Sequence, residues 1–111
     1  NVPSPLLYNG LLYLIKDGGI LTAVDAKTGE IAKQGRLPGG LDTYYSSPVA
    51  GAGHVYLISQ NGHLTVVRAG REWDVAWSAS FDDQAYATPA IVEDMVYLRT
   101  KGMLYAFRAP R

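Results

Sequence analysis

The residues that could do chemistry are few. His54 and His63 are the only histidines and stand nine positions apart. A zinc site needs three or four protein ligands, and the chain has no cysteine to supply the others. Each histidine falls at the start of an expected strand, at opposite ends of one strand pair, so both read as surface or rim residues. Asp82 and Asp83 are adjacent carboxylates. Acid–base work needs two carboxylates facing one substrate, whereas neighbours in a strand or turn point apart, so this pair reads as a solvated loop. In "DAKTGE", Asp25 and Thr28 set an acid and a hydroxyl three positions apart. That pattern is also a turn capped by its own side chains, with Gly29 taking the difficult dihedral. Serine-nucleophile arrangements, phosphate-cradling glycine loops and CxxC pairs are absent. No catalytic, cofactor-binding or metal-ligating residue is expected.

The composition sets what must position such residues. The chain has 111 residues, 48% of them hydrophobic, enough for one modest core and not two. Ten basic and ten acidic side chains leave a formal charge of zero, with Lys and Arg scattered singly. This gives no electrostatic footprint for nucleic acid or an anionic membrane surface. No apolar run approaches the roughly 20 residues of a membrane helix. The first residue is Asn1 rather than Met, which points to a chain processed or excised from something longer.

Three segments line up as copies of one unit: "SPLLYNGLLYLIKDGGILTAVDA" from Ser4, "SPVAGAGHVYLISQNGHLTVVRA" from Ser47 and "TPAIVEDMVYLRTKGMLYAFRA" from Thr88. Pro5, Pro48 and Pro89 hold offsets of 43 and 41, as do Tyr13, Tyr56 and Tyr97; Leu21, Leu64 and Leu104 hold 43 and 40, so the one-residue deletion falls in a turn. Each copy reads as short strands. A first strand opens on Ser-Pro or Thr-Pro, tolerable at a strand's first position, and turns at Asn9-Gly10, Ala52-Gly53 or Glu93-Asp94. The second strand is rich in β-branched and aromatic residues ("LLYLI", "HVYLIS", "MVYLRT"). A tight turn follows at Asp17-Gly18-Gly19, Asn61-Gly62 or Lys101-Gly102, and then a third strand. A fourth strand is expected around Glu30 to Leu37 and Trp73 to Phe81, and in the last copy none. No segment sustains a 3.6-residue apolar period, so no long helix is expected.

Four antiparallel strands in about 40 residues is the signature of a β-propeller blade. The expected fold is all-β: about two and a half four-stranded blades over 1–45, 46–87 and 88–111, the last lacking its outer strand. Met103, Leu104, Tyr105, Ala106, Phe107 and Arg108 would then form an open blade edge. Tyr44, Tyr45 and Tyr86 precede the Ser-Pro and Thr-Pro strand starts, where loops meet the channel mouth. There they would contact a ligand or partner, or pack between blades. Trp73 and Trp77, four apart in an extended strand, are expected on one side, packed against a neighbouring blade.

At "LTAVDAKTGEIAKQ" the sequence resembles the pyrroloquinoline-quinone-like β-propeller repeat, whose usual form runs from a strand ending in Ala-x-Asp through a Thr-Gly turn to an outer strand bearing Trp. Ala23, Asp25, Thr28 and Gly29 match it; Lys33 or a neighbour stands where the Trp would be. The second copy keeps the strand but has "RAGREWDVAW", with Arg68 where Asp25 stood. Two groups share this repeat: quinone-dependent dehydrogenases that hold the quinone and Ca²⁺ in the channel, with a vicinal disulfide in the alcohol-oxidising enzymes, and the non-catalytic group of the outer-membrane assembly scaffold (BamB-like). With no cysteine and no visible Ca²⁺ cage, the second group fits better.

The resemblance implies a non-catalytic propeller acting as a protein-interaction or assembly scaffold, periplasmic or extracellular, with no cofactor, no nucleic-acid partner and no membrane span. It also implies that a strand from the other terminus of a larger protein completes the last blade. The partners expected are the rest of that propeller or further copies of the chain, and another protein at the loops. The alternatives are a fragment of a quinone-dependent dehydrogenase and a short chain that assembles into a ring.

Overall fold

A computed structural model describes residues 3–38, 43–44, 47–81, 89–93 and 95–108. The described residues form eleven strands and no helix. Strands β1 (Leu6–Tyr8), β2 (Leu11–Lys16), β3 (Ile20–Asp25) and β4 (Ile31–Arg36) make the first sheet. Strands β5 (Val49–Gly51), β6 (His54–Ile58), β7 (His63–Arg68) and β8 (Asp74–Ser80) make the second, and β9 (Ala90–Val92), β10 (Met95–Arg99) and β11 (Leu104–Arg108) the third. Every pairing is antiparallel between chain neighbours. Three meanders stacked face to face are the all-β propeller fragment that the repeat predicted.

The first turn of each blade shows why the register holds. Asn9, Ala52 and Glu93 have φ of 50°, 51° and 56°, and Gly10 and Gly53 follow at 81° and 82°. Two successive positive φ values make the primed hairpin turn, whose twist matches that of the strands it joins. Alanine and glutamate pay sterically for this region, so the turn is imposed by pairing on either side and not by local preference at those two positions.

Two apolar layers hold the sheets together. Leu11, Tyr13, Ile15, Leu21 and Ala23 of the first sheet pack against Val55, Leu57 and Val67 of the second, with Leu37, Tyr44 and Trp73 in the same layer. Tyr56, Ile58, Leu64 and Val66 on the second sheet's other side meet Val96 and Leu98 of the third. Burial follows directly: β6 is buried at all five positions, whereas β2 and β10 alternate. A strand covered on both faces has no polar side, which is why "HVYLI" reads as an unbroken apolar run.

One expectation fails here. Trp73 and Trp77 do not share a side: Trp73 packs in the layer toward the first sheet, and Trp77 in the layer toward the third. In β8, Trp77 pairs with Val66 and Val75 with Val67, so Ala76 is an extra residue, a β-bulge. A bulge shifts the alternation by one and turns the residues beyond it to the opposite face. The first sheet has its bulge at the same place, where Lys33 pairs with Ala23 and Ile31 with Val24.

Candidate functional site

Three places merit inspection: the open strand edge, the tyrosine positions, and a cleft where turns of the first two blades meet.

At the edge, the third sheet runs β11-β10-β9, so among the described residues β11 has a strand partner on one side only. The corresponding strands β3 and β7 are covered by β4 and β8. Met103 precedes β11, its carbonyl accepting the Thr100 N–H at 2.9 Å. Tyr105 and Phe107 turn inward, their rings 4.6 Å and 6.3 Å from Phe81, and Phe107 lies edge-on to Trp77 at 5.9 Å. Leu104, Ala106 and Arg108 face outward and are exposed. Leu104 shares this outer face with Val92 and Tyr97, while Leu7 and Ile31 are exposed on the outer face of the first sheet. Each end of the stack thus presents an apolar face of the kind that pairs inside it.

Of the tyrosines singled out by sequence, Tyr44 is fully buried between the first two sheets, with its N–H directed at an Asp17 carboxylate oxygen at 3.2 Å. Its placement supports packing between blades. Tyr45, Tyr86, Asp82 and Asp83 lie outside the described residues. His54, expected on the rim, is instead buried, because its Nδ1 sits 3.1 Å from the Ala52 carbonyl and folds the ring onto its own turn. His63 starts β7 opposite Ser80, and His54 ends the same hairpin opposite Arg68, so the two imidazoles are at opposite ends of the sheet. Among the described residues no three His, Cys, Asp or Glu side chains come together as a metal site.

The cleft is the feature that sequence reasoning missed. It has a volume of about 420 Å³ and lies at the end of the stack where the β1–β2, β3–β4, β5–β6 and β7–β8 turns converge. Leu11, Tyr13 and Ala69 line its floor, and Asn9, Asp25, Lys27 and Arg71 its rim. Three polar contacts tie the second blade's turns to the first across it. The Gly53 N–H donates to the Tyr8 hydroxyl at 2.8 Å, the Gly70 N–H donates to the Tyr13 hydroxyl at 2.9 Å, and Arg71 pairs with Asp25 at 2.9 Å. Burial pushes the Tyr13 phenol above its ordinary value, with the Gly70 N–H pulling it back.

Asp25 is the hub of the rim. One oxygen accepts the Lys27 and Thr28 N–H groups at 2.9 Å and 3.1 Å, and the other accepts from Arg71. The Thr28 hydroxyl accepts the Glu30 N–H at 3.2 Å. Those backbone donors, Lys27 first and then Thr28, hold the Asp25 carboxyl below its ordinary value, with Arg71 adding to them. In the second blade, Arg68 at the equivalent position makes a two-pronged ion pair with Asp74 directly across the ladder. Asp25, Arg71, Tyr8 and Tyr13 around the cleft are thus engaged in turns and blade joints.

The family model described as outer membrane protein assembly factor BamB matches residues 1–109. No curated protein matches the sequence. Among solved structures, BamB from Moraxella catarrhalis superposes with a TM-score of 0.75 at 18% identity, over 94% of this chain and 32% of that one. The quinohemoprotein alcohol dehydrogenase ADHIIG from Pseudomonas putida HK5 superposes with a TM-score of 0.79 at 18% identity, over 97% of this chain and 19% of that one. The chain therefore spans about a third of the first and a fifth of the second, and both likenesses are of fold.

Proposed function

The chain belongs to the family described as outer membrane protein assembly factor BamB, and on that premise we propose that it forms part of a non-catalytic β-propeller serving as a protein-assembly scaffold outside the cytoplasm. The observation that carries this reading is how the polar side chains are used. Asp25, Tyr8, Tyr13, Arg71 and the Arg68–Asp74 pair fix turns and lash one blade to the next. A rigid stack with loops at its ends is what a scaffold needs, and a fold alone specifies no chemistry.

In this reading the blades extend over 1–45, 46–87 and 88–111, and the β11 edge is closed by a strand from elsewhere in a larger propeller. An unpaired strand flanked by an exposed apolar face recruits a partner strand or aggregates. The two end faces also favour a second reading, a ring of several copies stacked head to tail. The Tyr97 face at one end matches in type the Tyr13 and Tyr56 faces buried inside, and the Leu7 and Ile31 face at the other matches the face that covers them.

The dehydrogenase reading has the fold likeness alone behind it. The described residues do not fit a calcium cage of six to eight oxygens. Asp25 and Asp74 are each engaged by an arginine, at the outer end of their sheets. The test uses the intact protein. It should restore outer-membrane barrel assembly in a bacterium deprived of its own factor of this kind, and show no spectral change or dye-linked alcohol oxidation with quinone and Ca²⁺. Oxidation without restoration overturns the proposal. Light scattering on the 111-residue chain decides the ring, which a monomeric mass at micromolar concentration eliminates.

A further inference from the structure

We propose that the cleft between the first two blades binds an acidic side chain, aspartate or glutamate, of an extended partner polypeptide. The inference deepens the scaffold reading and rests on it for the polypeptide nature of the occupant.

Few donors at the cleft remain to be used. Most of the backbone N–H groups around it are committed: Gly53 and Gly70 to the two tyrosine hydroxyls, Ala26 and Ala69 to the Gly10 and Gly53 carbonyls, and Lys27 and Thr28 to Asp25. Few amides are left to take a phosphate or a chain-terminal carboxylate, the usual occupants of backbone nests. Side-chain cations remain. The Lys27 ammonium makes no hydrogen bond or ion pair among the described residues, and Arg71 gives one N–H to Asp25 while its guanidinium carries five.

Charge and shape agree on the ligand. Lys27 and Arg71 against Asp25 leave the lining with a net charge of one positive. Asp25 already accepts two hydrogen bonds from its own turn and one from Arg71, so it fixes the guanidinium in place instead of competing as a second anion site. Beneath the cations, Leu11, Tyr13 and Ala69 offer an apolar floor suited to the methylenes of a carboxylate side chain. About 420 Å³ holds one or two residues, with an open mouth that a continuous chain can cross. The site also needs both blades, since Lys27 comes from the first and Arg71 from the second, so it exists only where blades stack.

Fluorescence anisotropy on the intact protein tests this, with a labelled hexapeptide blocked at both ends and carrying two glutamates. The glutamate peptide should bind at low salt and be released as ionic strength rises past about 0.1 M, where the screening length falls to about 10 Å. Its glutamine counterpart should not bind, and inorganic phosphate should not compete. Lys27→Ala should weaken binding about fivefold, the upper range for one exposed charge pair, and Lys27→Glu should abolish it. Neither change touches the Asp25–Arg71 joint, so the fold is preserved and circular dichroism confirms it. Lys101→Ala, in the distant β10–β11 turn, should bind as the parent does.

Equal binding of the glutamine peptide, equal loss with Lys101→Ala, preference for a neutral peptide with a free C-terminus, or no binding at all would each overturn the proposal. Such a failure, with barrel assembly still restored and the quinone titration still silent, would remove the cleft and leave the scaffold reading standing.

Discussion

Lys33 and Trp73 grip each other across the joint between the first two blades. The Lys33 ammonium donates to the Trp73 carbonyl at 2.6 Å and lies 4.5 Å from the ring centroid, while the indole N–H is 3.3 Å from the Lys33 carbonyl. Lys33 occupies the ladder position that Trp77 holds in the next blade, since each pairs beside the bulge, with Ala23 and Val66 respectively. A blade without the outer-strand tryptophan thus borrows one from its neighbour.

The joint should be among the most sensitive places in the stack. Trp73 is buried, and Gly35 leaves room for its ring: a Cβ there would sit 3.2 Å from the indole edge. Trp73→Ala should cost about 3–5 kcal/mol. Lys33→Met should cost about 1 kcal/mol, because the stem packing survives while the cation–π contact and the hydrogen bond go. Denaturant unfolding of both single variants and the double variant measures the coupling. Additive effects would show that the two residues do not act as a pair.

The first hairpin turns offer a stabilising change. Ala52 holds a φ of 51° at the position where Asn9 stands in the first blade. Asparagine tolerates this left-handed region better than alanine. Ala52→Asn should therefore raise stability by about 0.5–1 kcal/mol, seen as a higher unfolding midpoint with an unchanged denaturant slope. An unchanged or lowered midpoint would mean that the turn is not strained.

These turns also mark what sequence could and could not reveal. Short, nearly continuous apolar runs bounded by turns such as Asn9-Gly10 and Asn61-Gly62 fix strands and pairing locally, so the three meanders were legible. The bulges at Ala32 and Ala76 were not, because an inserted residue leaves no compositional trace and is revealed only by which partner pairs across the ladder. The opposite facing of Trp73 and Trp77 follows from that hidden residue. The cleft was hidden for a related reason: Lys27 and Arg71 belong to different blades 44 positions apart, and only stacking brings both to one rim. A hint was present in Arg71, placed where the Ala-x-Asp turn is rewritten as "RAGREW".

Acid should loosen the joint through Asp25. Its folded-state carboxyl is held below the ordinary value by the Lys27 and Thr28 N–H groups and then by Arg71. The stability this contributes is present above the unfolded-state value, near pH 3.9, and is lost as pH falls through the lower folded value. Between about pH 5 and pH 2, Asp25→Asn should lose less stability than the parent, because it has no charge to surrender. Asp74, held low first by its hydrogen bond from Arg68, contributes in the same direction. Parallel stability curves for parent and Asp25→Asn across this range would refute the linkage.

The outer face of the third blade gives the sharpest test of closure. Leu104 is 62% exposed on β11, beside Tyr97 and Val92. If a further strand and blade cover this face in the intact protein, Leu104→Lys buries an unpaired ammonium against apolar neighbours and should cost several kcal/mol. If the face stays open, the same change removes an exposed apolar group and should fall within about 0.5 kcal/mol of the parent, with improved solubility. Amide exchange separates the two independently. The Leu104 and Ala106 N–H groups point away from β10, and among the described residues no strand pairs with them there, so they exchange fast in an open sheet. Uniform protection along Leu104–Arg108 in the intact protein, together with a destabilising Leu104→Lys, is the result that closure requires; fast exchange at alternate positions would show that β11 remains an edge.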